Sequence, residues 1–264
     1  MDETAARLAK LEKLRGIIAS MGRVAVAFSG GVDSALLLKV CADELGDDAI
    51  AITGRSPSVP ARETEATLEL CRSEGIRCIV VDTHEFDLPG FTDNPPDRCY
   101  RCKCEILSCI MREASARGFD TVVEGSNADD DDDDRPGSRA VREFGVRSPL
   151  REAGLCKADV RALARHLGLS VWDKPSLACL NTRFAFGDKL TLERLAMVDA
   201  AESSLNDLGF PQVRTRVSGR TARIELPPDD IARAAVGPMR NHIVAACKQA
   251  GFDRVSLDLE GYGA

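Results

Sequence analysis

Ser29-Gly-Gly-Val-Asp-Ser34 follows the apolar run Val24-Ala-Val-Ala-Phe28 and leads into Ala35–Glu44, which has helical patterning. Two glycines between a strand and a helix let the backbone approach an anion closely and take positive φ. The unpaired N–H groups at the start of that helix, with the positive end of its dipole, point at the same place. Ser29 and Ser34 add hydroxyl donors, while Gly30 and Gly31 leave room for the ligand. The hexapeptide is an anion cradle of a kind distinct from the Walker loop, which requires Gly-Lys-Ser/Thr. A lone Gly-Gly is an ordinary turn; the whole hexapeptide after an apolar strand is not.

Further segments carry reactive or charged groups. Glu124-Gly-Ser-Asn-Ala-Asp-Asp130 follows a second apolar run and opens an acidic tract, Asp129 to Asp134. The later aspartates read as a solvated loop, whereas Asp129 and Asp130 have the chemistry to hold Mg²⁺. Arg98-Cys-Tyr-Arg-Cys-Lys103 is a Cys-x-x-Cys immediately ahead of a helical pattern, Lys103–Arg117, and helix N-termini favour thiolate. Cys179 lies in Lys174-Pro-Ser-Leu-Ala-Cys-Leu-Asn-Thr-Arg183, between two basic residues, where a reactive thiolate is expected. The ordinary alternative is a packed loop cysteine. Arg214 and Arg216 alternate along a strand pattern, so both guanidiniums share one face, whether a site or a solvated face.

The elements that must position these groups alternate. Helical spacing covers residues 4–20, strands are expected at Val24–Phe28, Ala49–Thr53, Arg77–Val81 and Thr121–Glu124, and helices at Ala35–Glu44, Ala61–Glu74, Lys103–Arg117 and Lys157–Leu167. Such alternation predicts an α/β fold, a doubly wound parallel sheet with ligands at the C-terminal strand ends. Three loops fall there: Ser29–Ser34, Thr83–Arg98 and Gly125–Pro136. Ser170–Asp188 reads as a long loop. Beyond it come a helix at Thr191–Leu208, a hairpin of Val213–Ser218 and Thr221–Leu226 turning at Gly219-Arg220, helices at Asp229–Ala235 and Arg240–Ala250, and a strand at Arg254–Leu259. We therefore expect a nucleotide-type domain over 1–186 and a small α+β domain over 187–264.

Composition sets the outer limits. The chain has 264 residues, 44% hydrophobic and 29% charged, an ordinary globular balance. A net charge of −7 without a broad basic run disfavours a nucleic-acid partner. No apolar stretch approaches the ~20 residues of a membrane span, and the polar N-terminus does not read as a signal peptide, so the expected location is cytoplasmic. Of the 10 cysteines, Cys41, Cys71, Cys78, Cys156 and Cys247 read as small buried apolar residues. His84, His166 and His242 are scattered, which gives no support to a His-based metal site or a Cys-His pair.

The SGGVDS loop resembles that of the N-type ATP pyrophosphatases. The resemblance implies cleavage of ATP between its α and β phosphates, transfer of AMP to a substrate oxygen, and Asp33 helping to hold Mg²⁺-pyrophosphate. Gly125, Ser126 and Asn127, with the later Arg135-Pro-Gly137, match that family's second segment. SGGVDS, RCYRCK, GSNADD with RPG, KPSLACL and VRTRV together resemble the LarE family of ATP-dependent sulfurtransferases almost end to end. That resemblance implies adenylylation of a carboxylate on a pyridinium biscarboxylate mononucleotide and its conversion to a thiocarboxylate for the nickel-pincer cofactor.

In one branch of that family the cysteine matching Cys179 gives up its own sulfur and becomes dehydroalanine. In another, three cysteines hold a [4Fe-4S] cluster that carries an extra sulfide. This chain has cysteine at all three matching positions, Cys99, Cys102 and Cys179, so the cluster route is expected; Cys104 reads as a helix residue. On either route Lys103 and Arg183 can neutralise substrate phosphate or carboxylate. The resemblance places a phosphate or metal site in the small domain at Glu202, Arg214, Arg216 and Glu225, and it implies a homo-oligomer acting on a nucleotide-like small molecule. Adenylylation makes a carboxylate oxygen a good leaving group for attack by a thiolate or sulfide.

Three other readings compete. A tRNA thiolase of the same ATP-pyrophosphatase class is disfavoured by the acidic charge. An amide-forming ligase such as an NAD synthetase leaves Cys99, Cys102 and Cys179 without a role. A nucleotide-binding regulator would perform no chemistry, and acceptor-dependent pyrophosphate release would exclude it.

Overall fold

The computed structural model of the chain describes residues 3–130, 136–176 and 178–262. They group into two compact units. The first comprises Met1–Ser56, Glu63–Asp87 and Asp97–Leu177; the second comprises Pro57–Arg62, Leu88–Pro96 and Ala178–Ala264.

The chain runs α1 (Glu3–Ala19), β1 (Val24–Ala27), α2 (Val32–Leu45), β2 (Ala49–Arg55), α3 (Ala61–Ser73), β3 (Cys78–Asp82), α4 (Arg98–Ala116), β4 (Thr121–Val123), α5 (Pro136–Glu143), α6 (Pro149–Ala153) and α7 (Lys157–His166). Strands β3-β2-β1-β4 form one parallel sheet in that order, with Val24 in register with Ala49 and with Thr121. The α/β sheet expected from the alternation is therefore present. Beyond β4, Val123 bridges Arg147 in parallel, extending that edge by one pair.

Burial on both faces explains why the strands read as apolar runs. Val24, Val26, Ala49 and Ala51 pack with Leu36, Leu37, Leu163 and Ala164 in a core on one side. The intervening Ala25, Ile50 and Ile52 pack with Leu107, Ile110 and Ala114 of α4 on the other. Two short helices, α5 and α6, were not expected. Each begins at a proline, which suits a first helical turn, but neither is long enough to show a clear 3.6-residue period.

The second unit contains α8 (Leu192–Asp207), β5 (Arg214–Ser218), β6 (Thr221–Glu225), α9 (Pro228–Ala235), α10 (Gly237–Gln249) and β7 (Arg254–Leu257). Thr191 caps α8 by accepting from Arg194 N at 3.2 Å. β5 and β6 form the expected hairpin, with Ser218 opposite Thr221 and Gly219 at φ +57°. β7 adds to β6 in parallel. Ala178–Asp188 is irregular apart from one 3₁₀ turn at Leu180–Arg183. Among the described residues no helix is long and apolar enough to cross a membrane.

Candidate active site

β1 stops at Ala27, and the chain turns through Ser29-Gly30-Gly31 into α2. Helix α2 starts at Val32, earlier than its apolar periodicity suggests, so Asp33 and Ser34 stand in its first turn. Gly30 has φ +72°, and a Cβ there would lie 2.1 Å from Thr67 Oγ1; only glycine fits. Gly31, the N-cap, contributes no side-chain cap, so the first-turn N–H groups of α2 remain directed out of the helix. Ser34 Oγ donates to Gly31 O at 3.0 Å and lies 3.1 Å from Ser29 Oγ.

The second motif folds directly against this turn. A Cβ on Gly125 would lie 2.8 Å from Ser34 N, so the close approach of the two backbones depends on that glycine. Asn127 is buried and donates its side-chain amide to Asp33 Oδ1 at 2.9 Å. Asp33 Oδ2 meets the ammonium of Lys157. Asn127 is itself fixed: its Oδ1 accepts from Asp129 N at 2.9 Å, and its own N–H donates to Asp130 Oδ2 at 2.9 Å. Asp129 Oδ2 also accepts from Lys157 N at 2.7 Å, capping α7. The carboxylates of Asp129 and Asp130, considered above for Mg²⁺, thus brace the motif through backbone N–H groups. Asp131–Asp134 and Arg135 lie outside the described residues.

Two further lysines meet this region. Lys174 Nζ donates to Gly30 O at 3.1 Å and pairs with Glu63 at 2.7 Å. Its segment is held by Arg161, which donates to the carbonyls of Trp172 (3.0 Å) and Lys174 (2.9 Å). The ammonium expected to create a basic setting for Cys179 is thus bound at the loop. Lys103 Nζ stands 3.8 Å from Glu124, whose Oε1 accepts from Ser126 N (3.0 Å) and Ser148 Oγ (2.6 Å). Lys103 is therefore beside the Gly125-Ser126 backbone. Sequence reasoning missed Lys157, whose partner is 124 residues away; its position at the start of a helix carried no signal of that contact.

Cys99 and Cys102 lie inside the first two turns of α4, not ahead of it. Their spacing puts both on one helical face, with Cys99 exposed and Cys102 half-buried. The helix extends further N-terminally than its apolar pattern, because Arg98-Cys-Tyr-Arg is compatible with helix without marking one. Cys104 is on α4, as expected of a helix residue. Cys41 and Cys247 are buried, and burial pushes their thiols up to about 12 and about 11. Cys71 is also buried, but Cys78 and Cys156 are only half-buried, contrary to the expectation for them.

In the second unit, Cys179 caps the 3₁₀ turn Leu180–Arg183. Its carbonyl accepts from Thr182 Oγ1 at 2.8 Å and from Arg183 Nη1 at 3.4 Å. Arg183 is buried, donates to Ala178 O at 3.0 Å, and grips Glu202 with Nε at 2.9 Å and Nη2 at 2.8 Å. Burial alone would lower its pKa; the Glu202 pairing outweighs that and raises it. Glu202 also accepts from Thr215 N at 2.7 Å. Arg216 pairs with Glu225 at 3.0 Å and donates to Thr182 O; Arg223 reaches Glu225 at 3.2 Å. Arg214 lies over the Tyr262 ring, 4.3 Å from its centroid, with its Nε buried and unpaired. Of the expected phosphate or metal residues, Glu202, Arg216 and Glu225 therefore join one network through Arg183 and Thr182, while Arg214 stands apart from it. Within either unit, the described residues hold no group of three His, Cys, Asp or Glu side chains placed as metal ligands.

The first unit thus presents uncapped helix amides, two hydroxyls, two ammonium groups and a carboxylate at one turn, a setting for a polyphosphate and its metal. No protein-family model matches the chain. Three curated proteins are similar to it over nearly its whole length. An uncharacterized protein of Synechocystis is 43% identical over 96% of this chain and 94% of its own. The pyridinium-3,5-bisthiocarboxylic acid mononucleotide synthase of Lactiplantibacillus plantarum is 36% identical over 96% of this chain and 91% of its own. An uncharacterized protein of Methanocaldococcus jannaschii is 28% identical over 91% of this chain and 90% of its own.

Proposed function

The chain belongs to the family of pyridinium-3,5-bisthiocarboxylic acid mononucleotide synthases, the LarE family, and from that premise we propose that it is an ATP-dependent sulfurtransferase. It adenylylates a carboxylate of a pyridinium biscarboxylate mononucleotide, releases pyrophosphate, and converts the activated carboxylate to a thiocarboxylate with loss of AMP. The observation that carries this reading is the Asp33–Asn127–Lys157 arrangement on a glycine turn at an uncapped helix start.

The residues present fit ATP with Mg²⁺. The Ser29–Ser34 turn and the first amides of α2 receive the β and γ phosphates, with Ser29 and Ser34 as hydroxyl donors. Asp33 is the carboxylate for the metal, since hard divalent cations take oxygen ligands. Gly125, Ser126 and Asn127 form the wall against which the nucleotide rests. Lys174 neutralises phosphate charge beside Gly30, and Lys103 serves the acceptor's carboxylate or phosphate. In the second unit Arg214 supplies a guanidinium for an anion, and Arg183 fixes the backbone of the Cys179 turn.

For the sulfur source, exposed Cys99 and half-buried Cys102 share one face of α4; these and Cys179 are the soft thiolates that an iron-sulfur cluster would take. A [4Fe-4S] cluster on such thiolates would supply a labile sulfide, renewed from free sulfide between turnovers; without it, Cys179 is the sulfur donor. The test is turnover under strictly anaerobic conditions with ATP, Mg²⁺ and the biscarboxylate mononucleotide, with and without added inorganic sulfide to renew the sulfur used in each turnover, and with product and intact protein masses read together. The cluster route predicts repeated thiocarboxylate formation, unchanged protein mass, and loss of iron and labile sulfide in Cys99→Ala. A single turnover with dehydroalanine at Cys179 would replace it by the sacrificial route. No thiocarboxylate under either condition would refute the sulfurtransferase reading.

A further inference from the structure

Asp33 has each carboxylate oxygen engaged by a side chain from another element of its unit. Oδ1 accepts from the neutral amide of Asn127 at 2.9 Å, and Oδ2 meets the ammonium of Lys157. The two partners differ in what they allow. An amide can stay on one oxygen while a cation binds the other. An ammonium and a divalent cation on the same oxygen repel each other at that range, so they compete for it.

Lys157 is built for exchange. Its backbone N–H is fixed to Asp129 Oδ2 at 2.7 Å, which anchors the start of α7. Its ammonium, by contrast, rides on a flexible four-carbon stem, and its side chain is 32% exposed. The uncapped first turn of α2, which attracts anions, begins at the residue before Asp33. An ammonium displaced from Oδ2 therefore has an anion site within its own reach.

Resting on the reading of this turn as a Mg·ATP site, we propose that Lys157 is a positioning cation that exchanges partners. It holds Asp33 in the nucleotide-free protein, yields Oδ2 to the metal when Mg·ATP enters, and transfers its ammonium to the polyphosphate. No group is consumed: the ammonium neutralises Asp33 before binding and phosphate charge after it.

Two binding measurements on the full chain test this, neither requiring turnover. Mn²⁺ titration followed by electron paramagnetic resonance, without nucleotide, reports competition for Asp33. Lys157→Met should tighten Mn²⁺ several-fold, because the competing ammonium is gone, while Lys157→Arg stays near wild type. Calorimetric titration with Mg·ATP and with AMP reports the second role. Lys157→Met should lose about tenfold or more in Mg·ATP affinity, the scale of one charge-assisted hydrogen bond, with AMP changed less than about twofold. Lys157→Gln is read in the same way should the Met variant be insoluble. Unchanged Mn²⁺ affinity in the neutral variants, or equal losses for ATP and AMP, would make Lys157 a plain brace for Asp33 and overturn the proposal. A wild-type protein that binds no Mg·ATP would instead overturn the nucleotide reading itself.

Discussion

The two units use charge at different depths. At the glycine turn of the first unit, the paired groups are accessible: the Asp33 side chain is 21% exposed, and that of its partner Lys157 is 32% exposed. In the second unit Arg183 and Glu202 are 4% and 9% exposed. An accessible pair costs little to separate, since such pairs are worth about 0–1 kcal/mol, so an arriving ligand can replace one partner. A buried pair cannot be opened without leaving an uncompensated charge. The first arrangement suits a binding site; the second suits a frame, here the frame of the Cys179 turn.

The comparison can be broken in several ways, the largest effect first. Arg183→Met leaves Glu202 buried without its partner and should destabilise the protein by about 3–5 kcal/mol in urea unfolding. Replacing Glu202 by Leu in the same chain should recover most of that loss. A single-variant effect below about 1 kcal/mol would mean that the buried pair is not a frame. Asp33→Asn should do the opposite: unfolding within about 0.5–1 kcal/mol of wild type, but AMP formation slower by about 10²–10³, the scale of losing one placed charge at a reaction centre. Equal damage to folding and activity would erase the contrast.

Gly125→Ala tests the turn's geometry in place of its charge. The new Cβ would meet Ser34 N at 2.8 Å, and overpacking of this kind costs about 1–3 kcal/mol, which should appear as weaker Mg·ATP binding. Unchanged affinity in calorimetry would show that the two backbones can separate without consequence.

The smallest effect concerns the start of α7, where Asp159 pairs with Lys10 of α1 at 2.6 Å. Burial works to raise the Asp159 pKa, but hydrogen bonds from Lys10 and Cys156 prevail and hold it at about 2. A carboxylate lowered on folding stabilises the native state above its unfolded pKa and loses that contribution as pH falls. Wild type should thus lose up to about 2 kcal/mol between roughly pH 4 and 2 through this group, and Asp159→Asn should flatten that part of the stability profile. An identical acid limb in the variant would remove Asp159 as its source.

Much of this was legible in the sequence because it was written in local patterns. Val24–Phe28 and Ala49–Thr53 are apolar on both faces, so they read as strands, and the Gly219-Arg220 turn announced its hairpin. The boundaries near charge were less legible. α4 reaches back to Arg98 because its first turn presents cysteines and arginines with no apolar stripe. α5 and α6 are too short for periodicity. Among site residues, the glycine turn and Asn127 could be found from their motifs, since close backbone approach demands specific residues at fixed spacing. Lys157 could not, because its contact with Asp33 spans two helices and depends on side-chain reach. Arg183 was legible as a cation but not as a buried one, because burial is set by α8 and β5 rather than by its neighbours in sequence.

The most direct test of the account is the stoichiometry of products formed from ATP with Mg²⁺, with and without pyridinium-3,5-biscarboxylic acid mononucleotide. An adenylylating sulfurtransferase yields AMP and pyrophosphate in equal amounts, and only when the acceptor is present. ADP with inorganic phosphate, or pyrophosphate released regardless of acceptor, would contradict it.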